Sequence, residues 1–123
     1  MSLAINLKNF LTLAETTITG TAAGEIATAF LPTPLTDRSG TVTLGGTAQA
    51  FTIANTSRKG IYIYNSSAGS LWINELGVAA VLASPSIEIK TGTSYTFPEG
   101  GTSAAAISII GATTAQTFTA REW

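Results

Sequence analysis

The sequence predicts an all-β fold: an antiparallel β-sandwich, jelly-roll-like, with about eight strands, preceded by an extended N-terminal arm. After residue 40, short runs of β-branched and aromatic residues alternate with small polar ones, as in strands with one buried face. Turn-forming Gly, Pro, Asn and Ser separate these runs at intervals of about ten residues. Eight strands suit a jelly roll, whereas seven would suit an immunoglobulin-like sandwich.

Each predicted strand contains two apolar residues that lie two positions apart and therefore on one face. A further apolar run, from Val78 to Ala83, is ambiguous in type and stops before Pro85. In chain order the pairs are Val42 and Leu44, Phe51 and Ile53, Ile61 and Ile63, Leu71 and Ile73, Ile87 and Ile89, Tyr95 and Phe97, Ile107 and Ile109, and Phe118 and Ala120.

The strongest strand signal lies between Gly60 and Asn74, which we predict to form a β-hairpin. Two β-branched and aromatic segments flank a turn of small polar residues and glycine. Both arms are apolar on both faces, so one face would pack on the core, and a second layer or a partner chain would cover the other. Trp72 lies on the face opposite Leu71 and Ile73, either under a second layer or at a subunit contact.

Residues 1–40 differ in character from residues 41–123, and we expect an N-terminal arm followed by one β-sandwich domain. In the arm, one face of a helix would hold Leu3, Leu7, Phe10, Leu11 and Ala14, although residues 3, 5 and 7 also alternate as in a strand. Of the two we predict a short helix, near residues 6–15. The prolines at 32 and 34 end any regular element. An arm of this composition has little of its own to fold around, so we expect a partner to hold it.

The chain has few charges, which limits the partners it can have. Charged residues make up 11% of the sequence, against about 25% in typical soluble domains, and the net charge is −1. A surface of Thr, Ser, Ala and Gly repels other proteins weakly and suits an assembled setting. Without clustered cations we expect no nucleic-acid partner. No signal peptide or membrane-length apolar run is evident, so we also expect no membrane partner.

The side chains that usually carry catalysis are scarce. Histidine and cysteine are absent, and Asp37 is the only aspartate. The glutamates are scattered singly, although Glu88 could meet Glu75 or Glu99 in space, as a glycosidase would require. We expect no enzyme activity, no cofactor and no metal site. Asn55-Thr56-Ser57 and Asn65-Ser66-Ser67 match the glycosylation pattern, but we predict turns at both.

The remaining candidates are interface residues. Arg58 and Lys59 would either contact an acidic neighbour or form a solvated pair at a turn. The tryptophans offer large contact areas, and the tyrosines lie in the predicted hairpin. The predicted interface residues are Leu3, Leu7, Phe10, Leu11, Phe30, Arg58, Lys59, Tyr62, Tyr64, Trp72 and Trp123.

Residues 41–123 resemble small β-sandwich virion proteins of tailed bacteriophages. The resemblance lies in the pattern of strands and turns, and it implies a structural protein of the phage particle. Capsid cement or decoration proteins have a similar size and an extended arm, and typically sit as trimers on the head. The segments that carry the resemblance are RKGIYIYNSS (58–67), LWIN (71–74), GVAA (77–80), SIEI (86–89) and GATTAQTFTAREW (111–123).

Two functions follow as expectations. The first is a capsid cement protein on the surface of the phage head, a homo-oligomer with a trimer favoured, which stabilises the head by bridging major capsid subunits. The alternative is a tail, fibre or head-fibre component that binds host-surface glycans through Tyr62, Tyr64 or Trp72.

Overall fold

The computed structural model describes residues 34–98 and 100–123, and every regular element within these ranges is a β-strand. Extended segments rich in Ile, Tyr, Phe and Thr form the longer strands, as their preference for a pleated, half-buried surface dictates. The strands are β1 (Thr36–Asp37), β2 (Gly40–Thr41), β3 (Gln49–Thr52), β4 (Ile61–Asn65), β5 (Leu71–Asn74), β6 (Ile87–Ile89), β7 (Ser94–Thr96), β8 (Ile107–Gly111) and β9 (Thr117–Glu122).

The strands form two antiparallel sheets. The first sheet has the order β1-β9-β4-β7, and β2 also pairs with β9; the second has the order β3-β8-β5-β6. Thr36 lies opposite Glu122 and Gly40 opposite Phe118, so β1 and β2 act as one interrupted strand along β9. Counted in this way, the eight strands have the two-sheet arrangement of a jelly roll. The predicted fold class is confirmed.

The core lies between the two sheets, and the longer strands contribute alternate residues to it. Ile61 and Ile63 of β4 are fully buried, as are Leu71 and Ile73 of β5. Phe51 and Phe118 meet edge to face, with ring centroids 5.6 Å apart, which is the geometry that aromatic pairs prefer. The other core residues are Val42, Ile89, Phe97, Ile107, Ile109 and Ala120.

The predicted hairpin between Gly60 and Asn74 is wrong. β4 pairs with β9 and β7 in the first sheet, whereas β5 pairs with β8 and β6 in the second. The segment between the two strands therefore crosses from one sheet to the other. Local sequence reports only that two strands flank a turn, because strand pairing is decided by contacts with distant segments.

The buried side chain of Asn65 stabilises the segment that crosses between the sheets by hydrogen bonding. Its Nδ2 donates to the carbonyl oxygens of Gly69 and Ile89, each at 2.8 Å. Its Oδ1 accepts from the backbone N–H and the hydroxyl of Ser67, at 2.9 and 2.7 Å. Asn55 likewise accepts from the N–H of Ser57 at 3.0 Å. Both Asn-X-Ser segments are turns, as predicted.

Two strand predictions are misplaced by a few residues. Val42 is buried and its N–H donates to Gln116 O at 2.8 Å, but the strand before it ends at Thr41, and Leu44 is exposed in a turn. β3 ends at Thr52 after an irregularity in its pairing with β8, which leaves Ile53 outside the sheet and exposed. The ambiguous run from Val78 to Ala83 forms no strand and belongs to the long β5–β6 connection.

The predicted helix at 6–15 and most of the predicted arm lie outside the described residues. The described part begins at residue 34, and strands β1 and β2 show that the first sheet takes in residues on both sides of the predicted boundary at 40/41. The division into arm and sandwich domain otherwise stays a prediction. Within the described ranges, no helix has the length and apolarity needed to span a membrane.

We expect Asn65→Ala to lower the free energy of unfolding by about 2 kcal/mol or more, because the backbone N–H of Ser67 and the carbonyl oxygen of Ile89 would lose buried hydrogen bonds. Urea unfolding would measure the change. The control is Ser66→Ala at the exposed neighbouring position, which should change stability by less than about 0.5 kcal/mol. Equal effects of the two substitutions would contradict this role for Asn65.

Candidate functional site

Arg58 lies inside the protein, with a side chain that is 0% exposed. Its Nε donates to Glu122 Oε1 at 2.8 Å. Each of the other two guanidinium nitrogens makes two further hydrogen bonds, so all five N–H donors of Arg58 are used. Nη1 donates to Ser103 O and Ala105 O at 2.7 and 2.9 Å, and Nη2 to Thr52 Oγ1 and Ile53 O at 3.1 and 2.6 Å.

Glu122 is the partner at the centre of this network. Besides Arg58, it accepts hydrogen bonds from Arg38 Nε at 2.6 Å and Asn55 Nδ2 at 3.1 Å. Burial by itself would raise the pKa of Glu122, but the hydrogen bonds from Arg58, Asn55 and Arg38 outweigh it and lower the pKa to about 2. The carboxylate therefore stays ionised in the interior.

This network corrects the interpretation of Arg58. The acidic neighbour is Glu122 of the same chain, and a buried guanidinium is neither solvated nor available to a partner. Lys59, the next residue, is exposed. Its backbone N–H and that of Gly60 both donate to the carbonyl oxygen of Trp123. The half-buried Trp123 ring occupies the space that a Cβ at Gly60 would need, which explains the glycine.

The outward residues of β4 and β5 lie on opposite sides of the sandwich. Tyr62 and Tyr64 alternate with buried Ile61 and Ile63, so they point away from the core on the first sheet. Trp72 alternates with the buried residues of β5 and points outward from the second sheet. The three aromatic residues therefore cannot form the single interface that a hairpin would have presented.

Strand register groups the outward residues of the first sheet around the two tyrosines. Tyr62 lies opposite Thr96 of β7 and Arg121 of β9, and Arg121 lies opposite Asp37 of β1. Paired residues share a face of the sheet, so these four form one row across it. The next row contains Ser94, Tyr64 and Thr119. We call these seven residues the tyrosine face.

Asp37 and Arg121 form an exposed ion pair at one end of the first row. Arg121 Nη1 donates to Asp37 Oδ1 at 2.5 Å and to Ser39 Oγ at 3.0 Å. Hydrogen bonds from the hydroxyl and the backbone N–H of Ser39 lower the pKa of Asp37. The tyrosine face thus combines two phenol rings, three hydroxyl side chains and one pair of opposite charges.

The outer side of the second sheet has a different chemistry. A groove of about 270 Å³ lies between β3, the start of β8 and residues 77–79 of the β5–β6 connection. Small residues such as Ala50, Ala106 and Ser108 line it, together with the exposed Ile53 and Val78. The same connection contains three more exposed aliphatic residues, one before and two after this stretch. We call the set the aliphatic surface: Ile53, Leu76, Val78, Val81 and Leu82.

The aliphatic surface was missed by the sequence prediction, although a signal existed. Residues 76–86 contain four large aliphatic residues and no charged one, and residues 43–57 also contain no charge. The apolar residues of this stretch recur with neither a helical nor a strand period, so the sequence did not predict a helix or a strand there. Trp72 lies on this side of the sandwich too, opposite the buried Ile110 of β8. Neither Ile110 nor the half-buried Trp72 belongs to the core cluster, so whether Trp72 lies under a second layer or at a subunit contact stays a prediction.

Unlike Glu122, the glutamates at 75 and 88 bond to neutral side chains. Tyr95 donates its hydroxyl to Glu75 at 3.2 Å, and Ser70 donates to Glu88 at 2.7 Å. Burial raises the pKa of Glu75, and burial together with the charge of Glu75 raises the pKa of Tyr95 to about 12. Among the described residues, no cluster of acidic side chains could hold a metal ion.

Five of the predicted interface residues lie outside the described part of the chain, and their role stays a prediction: Leu3, Leu7, Phe10, Leu11 and Phe30. Comparison with family models and with curated proteins found no match for this chain.

We expect Arg58→Met to lower the free energy of unfolding by about 3 to 5 kcal/mol, because it removes one partner of a buried charged network. Urea unfolding would measure the loss. Lys59→Met is the matched control, since it removes the adjacent exposed cation and should cost less than about 0.5 kcal/mol. The internal role of Arg58 would be refuted if both variants unfolded at the wild-type midpoint.

Acid should weaken the protein through Glu122. Its pKa falls from 4.5 to about 2 on folding, so its stabilising contribution is complete above pH 4.5 and is lost as the pH falls towards 2. The loss should be on the order of 3 kcal/mol. Urea midpoints measured across this range would show it. Glu122→Gln should flatten this part of the profile, and parallel losses in both proteins would assign the effect to other groups.

Proposed function

We propose that this chain is a structural protein that binds neighbouring protein subunits through the aliphatic surface. The observation that carries the proposal is the exposure of five large aliphatic side chains, two at one groove and three in the connection that borders it, in a charge-poor sandwich. Ile53 is 73% exposed and Leu76 66%. Scattered apolar residues are ordinary on a surface, but Ile53 and Val78 border one groove, and the other three belong to the connection that forms its wall.

Burial of this surface would favour association. Each aliphatic side chain that a partner covers completely contributes about 1.5 to 3 kcal/mol. Stable interfaces have apolar centres with few charges, and the segment from 76 to 86 provides such a centre without a charge to desolvate. The groove would give a partner side chain a shaped site at this centre.

The particular assembly that we propose is a phage head. The resemblance of residues 41–123 to small virion proteins supports a capsid cement or decoration protein that bridges major capsid subunits. Such a protein needs no catalytic activity. It stabilises the head because separating the capsid subunits requires breaking the contacts that it adds. We propose a homo-oligomer, with a trimer favoured, on the head surface, and we propose that the part of the predicted arm before residue 34 makes a second contact with the capsid. Nucleic acid and membrane are not partners in this proposal.

Val78→Lys should weaken self-association of the purified full chain by at least about tenfold, because a charge would have to be buried at the centre of the contact. Sedimentation equilibrium would measure the association constant. Electron microscopy of phage heads mixed with the gold-labelled chain would measure head binding, which the same substitution should also weaken.

Leu44→Lys is the matched control for both measurements. Leu44 is 58% exposed and Val78 55%, but Leu44 lies in the turn after β2, next to the far end of β8. It should leave association and head binding unchanged. A wild-type chain that stays monomeric and does not bind heads would overturn the proposal, as would equal effects of the two lysines.

A further inference from the structure

We propose that the tyrosine face is a second binding site, and that its ligand is a glycan. Tyr62 and Tyr64 lie two residues apart on β4, so their Cα atoms are about 6.7 Å apart along the strand. Both side chains point outward, and Tyr64 is 36% exposed. An aromatic ring offers its face to the C–H groups of a sugar and, in tyrosine, a hydroxyl to its oxygens. Two rings in this arrangement can contact neighbouring units of one saccharide chain.

The residues around the rings supply the hydrogen bonds that a sugar requires. Thr96, Ser94 and Thr119 lie opposite the two tyrosines in the register of the sheet and carry hydroxyl groups. At the end of the first row, the side chain of Asp37 is 68% exposed and that of Arg121 39%. A carboxylate accepts and a guanidinium donates, so the pair can bind hydroxyl groups on adjacent sugar carbons.

The same chemistry disfavours a protein subunit on this face. Within the strands that the structure describes, the outward positions of the two rows hold tyrosines, hydroxyl side chains and the ion pair, without an aliphatic residue. An apolar partner would have to remove water from Asp37 and Arg121 without replacing their hydrogen bonds. A polyhydroxylated ligand replaces them.

The glycan site is independent of the proposed assembly. The tyrosine face belongs to the first sheet and the aliphatic surface to the outer side of the second, with the core between them. A chain held to a particle through the second sheet would still present the tyrosines outward. The two proposals can therefore fail separately.

The test is binding of the labelled full chain to a printed array of bacterial surface polysaccharides and of gluco-, galacto- and mannooligosaccharides. We expect retention on at least one of them, followed by calorimetry with the saccharide that is retained. Tyr64→Ser should weaken the affinity at least about tenfold, as loss of a central aromatic contact does. Tyr64→Phe keeps the ring and should retain most of the affinity.

Leu44→Lys is the control, because Leu44 lies in the turn after β2, outside both the tyrosine face and the aliphatic surface, and should leave glycan binding unchanged. Each variant is compared with wild type by its urea midpoint, so that loss of fold is not read as loss of binding. The proposal is overturned if no saccharide is retained, or if Tyr64→Ser binds as well as wild type. It is also overturned if Tyr64→Ser dissociates an oligomer without affecting glycan binding, since the face would then be a subunit contact.

Discussion

The buried carboxylate of Glu122 is the contact on which the organisation of this domain depends. It lies at the end of β9, the strand that pairs with β1, β2 and β4. Through Arg58 it is joined to Thr52 and Ile53 at the end of β3, and to the backbone of residues 103 and 105 before β8. One ion pair thus links segments of both sheets. A buried ion pair contributes little net stability by itself, but any arrangement that separates the partners leaves an unpaired charge in the interior. The network therefore favours a single arrangement of these segments.

The jelly-roll topology explains why such a link is needed. Among strands β3 to β9, only β5 and β6 are consecutive in the chain and hydrogen-bonded to each other. The other pairings join distant segments, and ordering them costs loop-closure entropy before their contacts form. Polar side chains that hydrogen-bond to nearby backbone order the segments that cross between the sheets. Asn65 does so between β4 and β5. Crossing from sheet to sheet also separates outward residues that are close in sequence.

This separation gives the sandwich two outer faces with different chemistry. Tyr62 and Tyr64 lie among hydroxyl groups and an ion pair on the first sheet, whereas Trp72 and the aliphatic surface lie on the side of the second. The two faces suit different classes of ligand. Aliphatic side chains contribute binding free energy only through exclusion of water, whereas tyrosines beside polar groups contribute through both stacking and hydrogen bonds. The outer faces of the two sheets are not part of the core, so the side chains on both can serve binding without being required for the fold.

The sequence by itself determined the fold class and most of the core. The alternation in Ile61–Asn65 and Leu71–Asn74 predicted which residues face inward, because side-chain direction in a strand depends only on position along it. It also determined the turns at Asn55 and Asn65, whose side chains bond within two residues. The tertiary structure alone decided which strands pair, and so that the segment from 60 to 74 crosses between sheets. It also placed Arg58 against Glu122, 64 residues away, and grouped Ile53 with Val78 around one groove. These contacts join residues far apart in the chain, and no local pattern encodes a partner at that distance.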